Sequence, residues 1–510
     1  MASRKGGRAS RVAARQSPLE SDLQPIWRGM KSGRLKLFTP DERQQIAETA
    51  FSILENIGFA NPLPSTITYC QKRGGVMKND RLCFSKKAVM DILSEANKQF
   101  TLYGQDPEWD LQPFDNRVYY GTAGAAVHVV DAFTLEYRES NLQDLYQATK
   151  ICDQMDNIHF CQRTLVPRDL SDPLEMDFNT CYTMVRATRK HIGTSWVDTK
   201  HFDLSLAMLH DIAGGKEKWL ARPFVSQSCT FVVPPLKFAE DACRCLERAV
   251  LEGMPVLLIS AGQAGATSPA SLAGSVALAI ADILMGLCYI NSITSGAPAI
   301  AGTWPFVSDL RTGAMSGGSA EQSLLMAGVG EMAQHFGLIS SVASGMADAK
   351  VPDYQAGAEK AYNHAIVAQS GANLLYEAAG MHASLLGVCM ESFVLDNDLL
   401  GSISRIVRGI EVNEESLSYE NIREVCINGP GHFLGSQQTL DLMQKDYFYP
   451  KTFDRASPKE WAANNSPTAL EKARTEKEKI LAQAPHNFIT SSMDKHLRQK
   501  YPIKLPEVHL

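Results

Sequence analysis

The chain has 510 residues, 45% hydrophobic and 21% charged, with a net charge of −6. That length leaves room for a barrel of about 250 residues with additions at both ends. The acidic balance leaves no electrostatic footprint for nucleic acid. The longest apolar stretch, Ser275 to Ile290, is interrupted by Asp282 and is shorter than the roughly twenty residues of a membrane span, so no membrane association is expected.

The first fifteen residues carry Arg4, Lys5, Arg8, Arg11 and Arg15 and no acid, which reads as a solvated basic tail over residues 1–35. Thr39-Pro40-Asp41-Glu42 is a helix start, with Thr39 as N-cap, Pro40 in the first turn and Glu42 three residues beyond the cap. The helix should reach about Asn56. Residues 74–84 read as a hairpin turning at Asn79-Asp80, and Ser85 opens a second helix. These elements form a small α/β lead-in over residues 36–117.

From there to residue 440, eight short apolar or β-branched runs alternate with helix-length stretches. The runs are 125–130, 158–164, 191–197, 224–231, 255–260, 299–304, 338–344 and 373–377. Strands alternating with helices predict one parallel sheet, and eight such units close a (β/α)₈ TIM-type barrel. The expected helices begin near Leu142, Leu174, His201, Leu236, Pro269, Ala320 and Tyr354, and helical structure is expected over 384–396 and 413–427. Residues 441–510 form a C-terminal extension with a Glu/Lys/Ala-rich helix at 468–483. Such a tail packs on the barrel or against another subunit, and a homo-oligomer is the expectation.

Eleven cysteines without a CxxC pair or a tight Cys/His cluster argue for reduced thiols in a cytoplasmic setting and against a metal site. In such barrels the chemistry sits on the loops after the strands. After the sixth run, Trp304 and Phe306 flank Pro305; aromatic faces attract methylated cations, and the alternative is a hydrophobic plug. The loop from Arg311 to Gly318, with Gly313, Gly317 and Gly318, lacks the Lys-Ser/Thr of a phosphate cradle and reads as a lid or partner-docking loop. After the seventh run, Asp348, Lys350, Asp353, Tyr354 and Gln355 crowd a glycine-flanked turn. Tyr376 and Glu377 close the eighth, where the carboxyl is an acid/base, a counter-charge to a cation, or the partner of a barrel arginine such as Arg163. His128, His191 and His382 read as structural groups.

Several segments together make the chain resemble the trimethylamine methyltransferase-like superfamily of corrinoid-dependent methylamine methyltransferases. They are Gly345-Met346-Ala347-Asp348-Ala349-Lys350 leading into Asp353-Tyr354-Gln355-Ala356-Gly357, then Gly371-Ala372-Asn373, Gly431-His432-Phe433-Leu434 and Thr439-Leu440. The resemblance implies transfer of a methyl group from a small methylated amine to reduced cobalt on a separate corrinoid protein, no cofactor being bound tightly here. With that reaction in view, the residues at the strand ends give the expected site: Glu377, Asp353 and Gln355 for catalysis, Trp304, Phe306, Tyr354 and Tyr376 for substrate binding, and Gly313, Gly317, Gly318 and Lys350 on the loops facing the corrinoid protein. Founding members use pyrrolysine, whereas all 510 positions here are ordinary amino acids, which moves the expected substrate from trimethylamine to a quaternary ammonium such as a betaine. Three alternatives remain: a trimethylamine:corrinoid methyltransferase, a lyase or aldolase using Lys350, and a non-catalytic binder of methylated osmolytes.

Overall fold

The computed structural model describes residues 24–484 and 488–507, so the basic residues 4–15 lie outside the described residues. The lead-in forms as its sequence dictates. Thr39 and Glu42 make a reciprocal capping box on helix Pro40–Asn56. Strands Gly75–Lys78 and Arg81–Phe84 pair through Asn79 and Asp80, whose φ values of 48° and 57° are those of a hairpin turn. This hairpin sits in a five-stranded side sheet with Phe59–Ala60 and two short strands, Val232–Val233 and Lys237–Phe238, from inside the barrel repeat.

Eight parallel strands follow: β1 (Arg117–Tyr120), β2 (Phe160–Gln162), β3 (His191–Thr194), β4 (Val225–Cys229), β5 (Val256–Ser260), β6 (Ala299–Thr303), β7 (Ser340–Ala343) and β8 (Leu374–Tyr376). β2 through β8 pair in sequence and β8 pairs with β1. The ring closes where Gly121 bridges Phe160 and the His159 amide donates to the Tyr120 carbonyl at 2.6 Å. A side chain on Gly121 would meet the Phe160 ring at 2.1 Å, so glycine is what lets that ring fill the barrel interior.

One strand differs from expectation. The run 125–130 contributes not to the barrel but to a four-stranded rim sheet, where His128–Val130 pairs with Tyr137–Glu139 and Gly387–Val388. β1 is instead Arg117–Tyr120. Each barrel strand is followed by a helix, and the longest, Leu272–Ile293, is buried from Ser275 through Asn291 and packed against helix Pro40–Asn56 on the barrel's outer side. Its burial accounts for its apolar composition. The helix expected over 384–396 starts later and runs as Met390–Arg408; 413–427 breaks into two short helices, Glu414–Leu417 and Tyr419–Arg423, and a π turn at Glu424–Asn428. Thr468 caps helix Ala469–Ala482, which packs on Met390–Arg408. All eleven cysteines are free.

Candidate active site

In-register parallel partners face the same side of a sheet, so the pairings fix which residues point into the barrel. Gly121, Phe160 and Gln162, Gly193, Ser228, Ser341 and Tyr376 share the inner face. Gln162 reaches across β3: its Nε2 donates to Ser228 Oγ at 2.6 Å, and its Oε1 occupies the space a Cβ on Gly193 would need, 1.6 Å away. That Oε1 is buried and has no hydrogen-bond partner within the protein.

Above this layer stands an aromatic cluster. The Tyr376 ring lies 4.6 Å from Phe160 and 5.2 Å from Trp304, centroid to centroid, in tilted contacts. Trp304 Nε1 donates to Ser341 Oγ at 3.0 Å, which fixes the indole over the mouth. Glu377 is the next residue after Tyr376. It is buried, its Oε2 has no partner within the protein, and its backbone takes the left-handed φ of 60° that a residue with a Cβ rarely adopts. Burial alone pushes its carboxyl up to about 8.

The surroundings hold that strained residue in place. Ser344 donates its amide to the Tyr376 carbonyl at 2.8 Å, and the Ala378 amide donates to the Gly121 carbonyl at 2.9 Å. Beyond Ala379, the Gly380 amide donates to Asp396 Oδ2 at 2.8 Å, and Asp396 is itself paired with Lys360 at 2.6 Å in a buried bridge. Several buried side chains of the described residues have polar atoms without a partner within the protein, and two of them, Gln162 and Glu377, lie beside an aromatic cluster at the strand ends. Such a place accommodates a small ligand with a positive centre and a methylated, apolar surface.

The structure brings together Glu377, Tyr376 and Trp304, with Phe306 half-buried nearby in sequence on a two-residue strand paired to Gln263–Ala264. It does not bring Asp353, Tyr354 and Gln355 to this cluster. Asp353 is the exposed N-cap of helix Tyr354–Val367, accepting from the Ala356 amide at 3.0 Å; Tyr354 is 91% exposed; and Gln355 Nε2 donates to Glu359. Lys350 is exposed, its ammonium donating to the Asp348 carbonyl at 2.6 Å.

The Gly345–Lys350 turn ties loops together. Asp348 accepts from Ser316 Oγ at 2.7 Å and from the Ser384 hydroxyl, which joins the loops after β6, β7 and β8. Gly317 donates its amide to Ser384 Oγ at 3.3 Å and the Gly318 carbonyl accepts from the Tyr362 hydroxyl, whereas Gly313 is exposed in a turn closed by Asp309. Arg163 does not pair with Glu377; the charge that acts on it is Asp177. The three histidines are engaged structurally: His128 with the Leu386 carbonyl, His191 with Tyr103 and Ser226, and His382 with Ser392. Sequence reasoning missed Phe160, Gln162, Gly193 and Ser228. The available signal was Gln162 at the end of Phe160-Cys161-Gln162 and the polar run Ser226-Gln227-Ser228 within a wholly buried strand.

An eight-stranded parallel barrel with its unpaired carboxyl and aromatic cluster at the C-terminal strand ends defines a (β/α)₈-barrel enzyme. Residues 4–504 match the family model described as trimethylamine methyltransferase (MTTB), and the chain belongs to that family of methyltransferases. Over 471 residues it is 27% identical to a glycine betaine methyltransferase of Desulfitobacterium hafniense (strain Y51), covering 92% of this chain and 96% of that protein. Over 438 residues it is 30% identical to trimethylamine methyltransferase MttB2 of Methanosarcina mazei, covering 85% and 88%. A dihydropteroate synthase from Xanthomonas albilineans superposes with a TM-score of 0.37 at 11% identity, over 61% of this chain and all of that one.

Proposed function

We propose that the chain takes a methyl group from a small quaternary ammonium of the betaine class and passes it to a separate corrinoid protein at the barrel mouth. The observation that carries this reading is the buried Glu377 carboxyl, unpaired and strained, next to the Trp304–Tyr376 aromatic pair. A permanent cation satisfies both elements at once: the rings face its methyl groups and the carboxylate offsets its charge. The relative named for glycine betaine and the absence of pyrrolysine from the 510 residues support the same substrate class.

On this reading this chain's side of the reaction is substrate binding and orientation. Reduced corrinoid cobalt, when the partner presents it, supplies the nucleophile for the methyl carbon. The chain's residues do the rest. Trp304 and Tyr376 orient the ammonium with one methyl toward the open mouth, and Phe160 closes the floor against water. The C–N bond breaks with its electron pair staying on nitrogen, so the amine departs neutral and needs no proton. A tertiary amine in its neutral form would depart as an amide anion unless an acid supplied a proton to its nitrogen, a requirement that a quaternary ammonium does not have.

The experiment is loss of cob(I)alamin absorbance with the purified chain across a panel of methylated amines. Methylation is expected with a betaine and little or none with trimethylamine. Rapid turnover of trimethylamine with no quaternary ammonium accepted would overturn the reading.

A further inference from the structure

Both carboxylate oxygens of Asp348, half-buried in the turn after β7, are taken by hydroxyls from other loops. Oδ2 accepts from Ser316 Oγ at 2.7 Å, and Oδ1 accepts from Ser384 Oγ. Ser316 belongs to the loop that begins at Trp304, and Ser384 to the loop that begins at Glu377. One carboxylate therefore joins the loops of the two residues that frame the site, and the Gly317 amide adds a weaker link to Ser384 Oγ at 3.3 Å.

Each hydroxyl is connected by backbone to the residue at the start of its loop. The Ser316 amide donates to the Val307 carbonyl at 2.9 Å, three residues beyond Trp304, and the Trp304 amide donates to the Ser260 carbonyl at 2.8 Å. On the other side, Ser384 lies in the tip of the hairpin formed by Met381–His382 and Gly387–Val388. The base of that hairpin is closed by the Cys389 amide on the Gly380 carbonyl at 3.1 Å, three residues after Glu377. The Asp348 turn is itself fixed to helix Tyr354–Val367, where Glu359 accepts from the Asp348 amide at 2.7 Å and the Ala349 amide at 3.2 Å. The loop from Trp304 packs so closely here that a Cβ on Gly318 would lie 2.5 Å from the Glu359 carboxylate.

The hairpin tip is held against its own preference. Ala383, Ser384 and Leu385 take φ values of 51°, 49° and 74°, the left-handed region where tight hairpins place glycine or asparagine. Three such residues in a row persist only where their neighbours over-determine them. Those neighbours are the Asp348 turn: Ala383 and Ser384 donate their amides to the Ala349 and Ala347 carbonyls, each at 2.9 Å, on either side of Asp348. Glu377, left-handed at 60°, starts the same loop.

We propose that Asp348 is a positioning residue, which sets the gap between the Trp304 ring and the Glu377 carboxyl by holding both loops on one carboxylate. This rests on the function proposed above, in which those two groups face one cation. A methyl carbon that must lie in line with its acceptor is sensitive to that gap, since a displacement of about 1 Å is enough to slow such a reaction roughly a hundred-fold. Asp348 acts through the two loops rather than by contact with the cation.

The test uses the full chain. Amide hydrogen exchange without substrate reads the link between the loops: Ser316→Ala, whose lost hydroxyl reaches Asp348 and no residue of 383–386, should speed exchange at 383–386 about ten-fold while the barrel strands keep their protection. With the methylated amine that the unmodified chain demethylates, Ser316→Ala and Ser384→Ala should each lower kcat/KM about ten-fold at a nearly unchanged Tm. The double variant should fall little further than either single one, because a carboxylate that holds one loop no longer sets the gap. Asp348→Asn, which keeps one acceptor, should have a kcat/KM between those of the unmodified chain and Asp348→Ala. Exchange at 383–386 indifferent to Ser316→Ala would overturn the proposal. So would fully additive losses in kcat/KM, or variants that melt early yet turn over normally when folded. Turnover of trimethylamine in place of a betaine would overturn the substrate reading alone, since exchange and additivity are read the same way with either amine.

Discussion

Trp304 and Tyr376 stand with their ring centroids 5.2 Å apart and their planes inclined by 43°, although they come from the ends of strands two positions apart around the barrel. The contact crosses β7, whose Ser341 accepts the indole N–H, so the pair is set by backbone register rather than by a flexible loop.

If this pair holds a methylated cation, Trp304→Leu should weaken binding by about 0.5–2 kcal/mol, a roughly 2- to 30-fold rise in KM. Trp304→Phe, which keeps a ring but strands Ser341, should cost less in KM and comparably in Tm. The measurement is KM with a betaine beside thermal melting for both variants. A Leu variant that melts early yet keeps its KM would mean the indole only plugs the mouth.

Most of the barrel was legible because strands buried on both faces read as short apolar runs between turn residues. β1 was not, because two β-rich segments compete for the role: Val118-Tyr119-Tyr120 and Val127-His128-Val129-Val130 have equal propensity, and only the pairing of β8 with Tyr119 and Tyr120 decides. Period-two reasoning also fails inside such strands, since both faces are buried, and so Gln162 and Ser228 escaped notice. Glu377 was found because a carboxyl at a strand end is conspicuous. Asp353, Tyr354 and Gln355 lie ten or more residues past the end of β7, and the cap that starts the next helix turns them to solvent.

Asp353 should therefore behave as a cap. Asp353→Ala is expected to lose about 0.5–2 kcal/mol of stability, with Asp353→Ser retaining most of it, because the side-chain oxygen accepts from the Ala356 amide. Turnover per folded molecule should be unchanged in both. A large fall in kcat with an unaltered denaturation midpoint would return Asp353 to the catalytic machinery.

Gly193 and Gln162 are predicted to be coupled. A Cβ at position 193 would lie 1.6 Å from Gln162 Oε1, so Gly193→Ala must push the amide off Ser228 and leave buried polar atoms unpaired, at about 1–3 kcal/mol. Gln162→Ala removes the obstacle, and the double variant should be more stable than the sum of the two single losses predicts. Strict additivity in a chemical-denaturation cycle would show that the two do not meet as described.

The Glu377 carboxyl gives a pH signature in both stability and binding. Its ordinary value of 4.5 is pushed up to about 8 by burial, so between those values the folded chain holds a proton that the unfolded chain has lost. Its contribution therefore favours the fold below about 4.5, diminishes as pH rises, and is fully lost once pH passes about 8. Glu377→Gln should remove that slope and be the more stable protein at pH 8–9. Binding runs the other way. A quaternary cation favours the carboxylate, so its affinity should rise with pH and level off above about 8, with proton release on binding at pH 7. In the Gln variant affinity should be weaker at pH 9 and flat with pH, because the substrate's own charge does not titrate. Calorimetry at pH 7 in buffers of different ionisation enthalpy reads the released proton directly. Proton release equal in wild type and Glu377→Gln, or affinity falling as pH rises, would remove Glu377 from the cation site.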